Sequence, residues 1–164
     1  MSFETLKAAG GSKAEAYAVL HDNARAVFHG ERDPIANAAN LSSLIWHALP
    51  DLNWAGFYLW NGRQLVLGPF QGKVACVRID LGRGVCGTAA QERRTQLVID
   101  VHAFPGHIAC DPASRSEIVV PLLLGERLLG VLDLDSPLPA RFDDEDRRGL
   151  EGVAQAWVEC SDHP

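Results

Sequence analysis

Helical spacing at both ends of the chain, around a middle stretch that alternates with a period of two, specifies an α+β protein. Its architecture is a central antiparallel sheet with helices from the N- and C-terminal segments packed on it. With 164 residues, the chain is long enough to close a hydrophobic core and short enough to be expected as one domain, residues 1–164. No internal repeat or linker divides it.

A first helix is expected around Ala14, Ala18, Val19, Ala26 and Val27, with Gly30 as its stop. Asp33-Pro34 supplies the cap and first-turn proline of a second helix. Its apolar stripe is Ile35, Ala38, Ala39, Leu41, Leu44, Ile45 and Ala48, and Pro50 ends it. The aromatic-rich run 54–60 then opens a meander, in which Asn61-Gly62 predicts a two-residue hairpin turn and 64–68 returns as the second strand. Further strands are expected over 75–79, 97–100, 116–124 and 127–135, the last two joined across Gly125-Glu126. Helix formers fill 84–92, whereas Pro105, Gly106 and Pro112 make 102–115 largely loop. Asp143 caps a final helix carrying Leu150, Val153, Ala154, Trp157 and Val158.

Apolar residues at 47% and charged residues at 22% are ordinary for a folded domain. A net charge of -6 argues against nucleic acid as partner, because phosphate backbones are bound through basic patches. No apolar run reaches the length of a membrane span, and Met1 to Lys7 lack the pattern of a secretory leader. A cytoplasmic location is therefore expected. There, the four cysteines are expected as free thiols, available to react, rather than as a disulfide scaffold.

Three of those cysteines, Cys76, Cys86 and Cys110, fall in the middle of the chain, and acidic residues follow closely. A thiolate can attack an electrophilic atom while a neighbouring carboxylic acid supplies the proton that a departing oxygen needs. Asp133 and Asp135 share one face of a strand, about 7 Å apart. Antiparallel pairing brings Glu117, near the start of the partner strand, beside them. Alone, three such acids are most simply solvated groups at a strand end. With the cysteines they read as a clamp for an ammonium group, one carboxyl being kept protonated by its neighbours.

Cys110 lies in the Gly/Pro-containing loop close to His107, where the backbone can present a thiol to a ligand. Cys160, in the amphipathic last helix, suits the role of a small buried apolar residue. Zinc on Cys76, Cys86 and Cys110, with His107 as fourth ligand, is the rival reading. Nine residues separate the first pair and twenty-three the second, far from the close pairs of zinc sites, so no metal is assigned. A Cys-x-x-Cys pair is also absent. Trp54 and Tyr58 share a strand face and can wall a methyl or thioether group while their inner ends pack in the core.

Six segments together carry a resemblance. They are Asn53-Trp54-Ala55-Gly56-Phe57-Tyr58, Leu67-Gly68-Pro69-Phe70-Gln71-Gly72-Lys73-Val74-Ala75-Cys76, Gly84-Val85-Cys86-Gly87-Thr88-Ala89-Ala90, Pro105-Gly106-His107-Ile108-Ala109-Cys110-Asp111, Ser116-Glu117-Ile118-Val119-Val120-Pro121 and Gly130-Val131-Leu132-Asp133-Leu134-Asp135. In that order the chain resembles the free methionine-(R)-sulfoxide reductases. The resemblance implies a GAF-like fold with a small ligand cavity, and as substrate methionine (R)-sulfoxide, the free amino acid. It further implies Cys110 as nucleophile, Cys76 as resolving thiol and Cys86 in an auxiliary part. Glu117, Asp133 and Asp135 would bind substrate and supply the proton, Trp54 and Tyr58 would form the methyl-side wall, and thioredoxin would recycle the disulfide. No metal or organic cofactor is required. The alternative from another class is a non-catalytic GAF module that binds a small ligand or senses redox state. The residues leave open which acid carries the proton, whether Cys86 can replace Cys76, and whether an exposed face pairs with a second copy.

Overall fold

The computed structural model describes residues 11–108 and 110–164. The residues read for a leader, the first ten positions of the expected domain, and Ala109 of the Cys110 segment lie outside that range.

Helix α1, Lys13–Phe28, starts at a reciprocal cap: the Ser12 hydroxyl accepts from the Glu15 amide and the Glu15 carboxylate from the Ser12 amide. Gly30, at φ 79°, follows its end. The helix buries Tyr17, Leu20, Ala24 and Phe28, whereas Ala14, Ala18, Val19 and Ala26, whose spacing marked the helix, are exposed. Alanine suits either face of a helix, so the larger side chains decide which face turns inward. Helix α2, Pro34–Ala48, is capped by Asp33, whose Oδ1 accepts from the amides of Ile35 and Ala36. Its inner face is Ala38, Leu41 and Ile45, with Ile35 outside.

The strands are β1 Trp54–Trp60, β2 Leu65–Gly72, β3 Arg78–Ile79, β4 Gln96–Val98, β5 Ser116–Leu124 and β6 Arg127–Ser136. Helix α3, Gly84–Glu92, lies between β3 and β4, and helix α4, Asp144–Cys160, closes the chain. They form one antiparallel sheet in the order β3-β2-β1-β6-β5-β4. Four details depart from the sequence reading. The first hairpin is joined by residues 61–64 rather than a two-residue turn, because the Asn61 side chain accepts from the amides of Arg63 and Gln64. Strand β2 runs on to Gly72, with Pro69 tolerated at the bulge where Gly68 and Pro69 both oppose Phe57. Strand β3 is shorter than expected and excludes Cys76. Strand β4 stops at Val98, and Asp100 instead caps a short 3-10 turn at 101–103.

Helices α1, α2 and α4 cover one face of the sheet over Phe57, Ile118, Leu122, Leu132 and Leu134, with Trp157 packed on Phe57. Buried Asp146 ties α1 to α4 by accepting from Tyr17, Lys13 and Arg141. On the opposite face Trp54, Tyr58, Val119 and Val131 pack against Val85 and Ala89 of α3, and the polar end of this second core holds the site. Among the described residues no helix is long and apolar enough to cross a membrane.

Candidate active site

Register alone brings the acids together. Glu117 of β5 faces Asp135 of β6, which faces Trp54 of β1, and in the next row on that face Val119, Asp133 and Gly56 are aligned. Gly56 is required here because a Cβ would collide with Phe70 on β2. That close approach stacks Phe70 on Trp54, with ring centroids 5.2 Å apart, and the Tyr58 ring also stacks on Trp54, 5.7 Å away. The Trp54 indole donates to the Lys73 carbonyl and the Tyr58 hydroxyl to the Cys76 carbonyl, 3.0 Å away. The aromatic wall thereby fixes the loop after β2, the reason Cys76 leaves the sheet.

Helix α3 covers this floor. Gly84 begins it at φ 59° and lets Ile108, from the Cys110 loop, pack against the backbone. Cys86 then points at the acids: its sulfur is 3.2 Å from Asp133 Oδ2 and 4.0 Å from Glu117 Oε1. Cys76 and Cys110 are joined by a disulfide, their Cα atoms 6.0 Å apart, with Cys110 exposed and Cys76 half-buried. Cys86 and Cys160 are free thiols. Cys160 is half-buried against the helical core, away from this site.

Trp54, Tyr58, Cys86, Cys110, Glu117, Asp133 and Asp135 all line one cavity of about 40 Å³. Every site residue expected from the sequence is therefore at this cavity, Cys76 through its bond to Cys110. The zinc set is not assembled, since two of its thiols are consumed by each other and the third faces carboxylates. Cys86, Glu117 and Asp133 offer donor atoms within 4.8 Å of one another. Burial, and then the charges of Asp133 and Glu117, push this thiol well above its ordinary pKa.

The electrostatics are those of crowded acids in a dry place. Burial, and then the charge of Asp135, raises the Glu117 pKa well above the usual carboxylate range. Burial and Glu117 do the same to Asp133, and burial and Asp133 to Asp135. Such a cluster retains protons near neutrality and favours any cation placed against it. Asp133 Oδ1 is buried with no hydrogen-bond partner among the described residues. His107 closes one side, its Nε2 lying 3.6 Å from Glu117 Oε2.

Three supporting residues escaped the sequence reading. Asn53 donates to Asp111 Oδ2 at 3.1 Å and to the Ser114 hydroxyl at 3.0 Å, and Ser114 lines the same cavity as Asp135. The Ala113 amide, Asn53 and Lys73 hold the Asp111 carboxyl below its ordinary pKa. This bracket anchors the Cys110 loop to the end of β1. Its traces in the sequence were Asn53 directly before Trp54 and the Asp111-Pro112 turn pair.

A GAF domain profile matches residues 35–156, most of the chain, and with the sheet and cavity above it makes this a GAF-domain protein. The free methionine-R-sulfoxide reductase of Escherichia coli (strain K12) is 55% identical over 139 residues, 85% of this chain and 84% of that one. The crystal structure of the Neisseria meningitidis free methionine-R-sulfoxide reductase in complex with its substrate superposes with a TM-score of 0.89 at 43% identity, covering 93% of this chain and 92% of that one. A Burkholderia vietnamiensis structure, provisionally described as a GAF sensor protein, gives a TM-score of 0.89 at 63% identity over 92% and 96%. The chain belongs to the free methionine-R-sulfoxide reductase family.

Proposed function

We propose that the chain reduces methionine (R)-sulfoxide, as the free amino acid, to methionine, with Cys110 as the attacking thiol. Attack of the Cys110 thiolate on the sulfoxide sulfur places negative charge on oxygen, which a protonated carboxyl, Glu117 or Asp135, neutralises. Methionine leaves and Cys110 becomes a sulfenic acid. The Cys76 thiol condenses with it, expelling water and forming the disulfide, while Cys86 stays auxiliary. An external dithiol such as thioredoxin then reduces that bond by exchange, a step suited to a cytoplasmic protein.

The observation that carries this reading is the Cys76–Cys110 disulfide beside a cavity floored by Glu117, Asp133 and Asp135. The α-ammonium of a free amino acid suits the unpartnered Asp133 Oδ1. A neutral peptide amide would bring no compensating charge. Trp54 and Tyr58 supply an apolar wall for the methyl side.

The test is NADPH consumption with thioredoxin and its reductase, offering each epimer of methionine sulfoxide, free and within a peptide. Consumption with the free R epimer alone is expected. No consumption with any sulfoxide, together with measurable ligand binding, would replace the enzyme by a sensor.

A further inference from the structure

His107 lines the cavity without a part in the steps above. Its side chain is only 13% exposed, and its Nε2 lies 3.6 Å from Oε2 of the still more enclosed Glu117. It precedes Cys110 by three positions in one loop. Within it the His107 amide donates to the Phe104 carbonyl and the Cys110 amide to the Ile108 carbonyl. Both side chains reach the same cavity. Burial lowers the imidazole pKa below its ordinary value, so the ring is neutral near pH 7 and free to take a proton.

Proton accounting gives such a ring a task. Oxygen transfer from sulfoxide to Cys110 is proton-neutral overall, because the thiol loses one proton and the sulfenic acid carries one. The two protons nevertheless pass through different groups. The thiol proton must leave sulfur before attack, and the carboxyl proton goes to the sulfoxide oxygen. Without a link between them, Glu117 would finish each turnover as a buried carboxylate beside Asp133 and Asp135, an arrangement the site strongly disfavours.

We propose that His107 is a further catalytic residue: it carries the proton lost by the Cys110 thiol to the Glu117 carboxylate. One ring nitrogen accepts the thiol proton before attack, and Nε2 yields its own to Glu117 Oε2 once that carboxyl has given its proton to the sulfoxide oxygen. The ring regains its starting tautomer by exchange with water at its exposed edge. No proton is gained or lost over the cycle, and Glu117 rather than Asp135 becomes the donor. This inference rests on the reductase reading above.

The experiment compares wild type, His107→Gln and His107→Ala in dithiothreitol-driven turnover of methionine (R)-sulfoxide, with and without added imidazole. Glutamine keeps an N–H within reach of Glu117 but cannot relay a proton. Its kcat is expected to fall about 10²-fold with KM within about twofold of wild type. The alanine variant is expected to be as slow, and to recover in part when imidazole is added. A glutamine variant at the wild-type rate overturns the relay, as does failure of imidazole to raise the rate of the alanine variant. Should alanine prevent folding, the glutamine result decides. An inactive wild type would sink the reductase reading itself, whereas an active wild type with an equally active His107→Gln sinks only this inference.

Discussion

Cys86 donates its S–H to Asp133, sulfur to Oδ2 3.2 Å, although two other cysteines beside the same cavity have joined in a disulfide. Burial first, then the charges of Asp133 and Glu117, push this thiol well above the ordinary range. A thiol that does not ionise is a poor nucleophile and a poor partner for exchange. In the reduced protein near neutral pH, brief treatment with iodoacetamide should label exposed Cys110 and spare Cys86. After one equivalent of substrate, peptide mass spectrometry should find Cys76 linked to Cys110 and Cys86 unpaired. A Cys86–Cys110 peptide as the main product would reverse the assignment.

The same crowding predicts a trade between stability and binding. Glu117, Asp133 and Asp135 all have folded-state pKa values raised above their unfolded values. Their favourable contribution is therefore complete below the unfolded carboxyl value of about 4 and is lost as pH rises toward the folded values. At neutral pH the cluster costs stability. Asp133→Asn, which removes one acid and keeps the shape, should raise stability by about 1–2 kcal/mol, or about 2–8 °C in Tm by calorimetry. Loss of the ammonium partner should raise KM for the free sulfoxide about 10²-fold. An unchanged KM would remove Asp133 from the substrate clamp.

How much of this was legible depended on whether regular structure carried it. Asp133 with Asp135, and Trp54 with Tyr58, sit on long strands, so period two placed each pair on one face; antiparallel pairing offered Glu117 as a neighbour of the two aspartates, and the observed register sets all five on the same face. Strands β5 and β6 and helix α3 stand where the residue pattern put them, to within a residue, and helix α4 starts at the Asp143 cap. The pairing of Cys76 with Cys110 had no such support. Both lie in irregular segments, held by the Tyr58 hydroxyl and the Asn53 bracket, and sequence distance carries no information about such contacts. Helix α1 lies where the spacing and Gly30 put it, but its inward face was not legible: its many alanines leave the helical period without a clear direction, which Tyr17, Leu20 and Phe28 set through their size.

Separating the two thiols of the disulfide gives a kinetic prediction. Cys110→Ser should abolish methionine formation even in a single turnover. Cys76→Ser should still release about one equivalent of methionine and then accumulate a sulfenic acid on Cys110, detected with dimedone, because no intramolecular thiol remains to condense with it. Thioredoxin-driven turnover should fall at least about tenfold, since that reductant acts on a disulfide. Full thioredoxin-driven turnover by Cys76→Ser would show that another thiol resolves the intermediate.

Away from the site, Asp146 is fully buried and accepts from Tyr17, Lys13 and Arg141, joining the first helix to the last. Removing this carboxylate leaves two cationic side chains and a hydroxyl without their common partner, and Arg141 is itself largely enclosed. Asp146→Ala should cost about 3–5 kcal/mol in urea unfolding with little change in KM. A loss below about 1 kcal/mol would mean that Asp143, which also binds Lys13, takes over the contact.

The oxidation state should also control access. With Cys76 and Cys110 joined, the cavity measures about 40 Å³, room for a few water molecules rather than for the amino acid and its about ten non-hydrogen atoms. The loop bearing Cys110 is tied to the segment after β2 by that bond and to the end of β1 through Asn53 and Asp111. Cleaving the bond removes the first tie and leaves the second as an anchor about which the loop can open. Calorimetric titration should therefore give binding of methionine (R)-sulfoxide to a reduced Cys110→Ser protein at least about tenfold tighter than to the oxidised wild type, a difference of about 1.4 kcal/mol or more. Asn53→Ala, which loosens the anchor, should weaken binding to the reduced form. Equal affinity in the two oxidation states would show that the disulfide leaves the substrate pocket open.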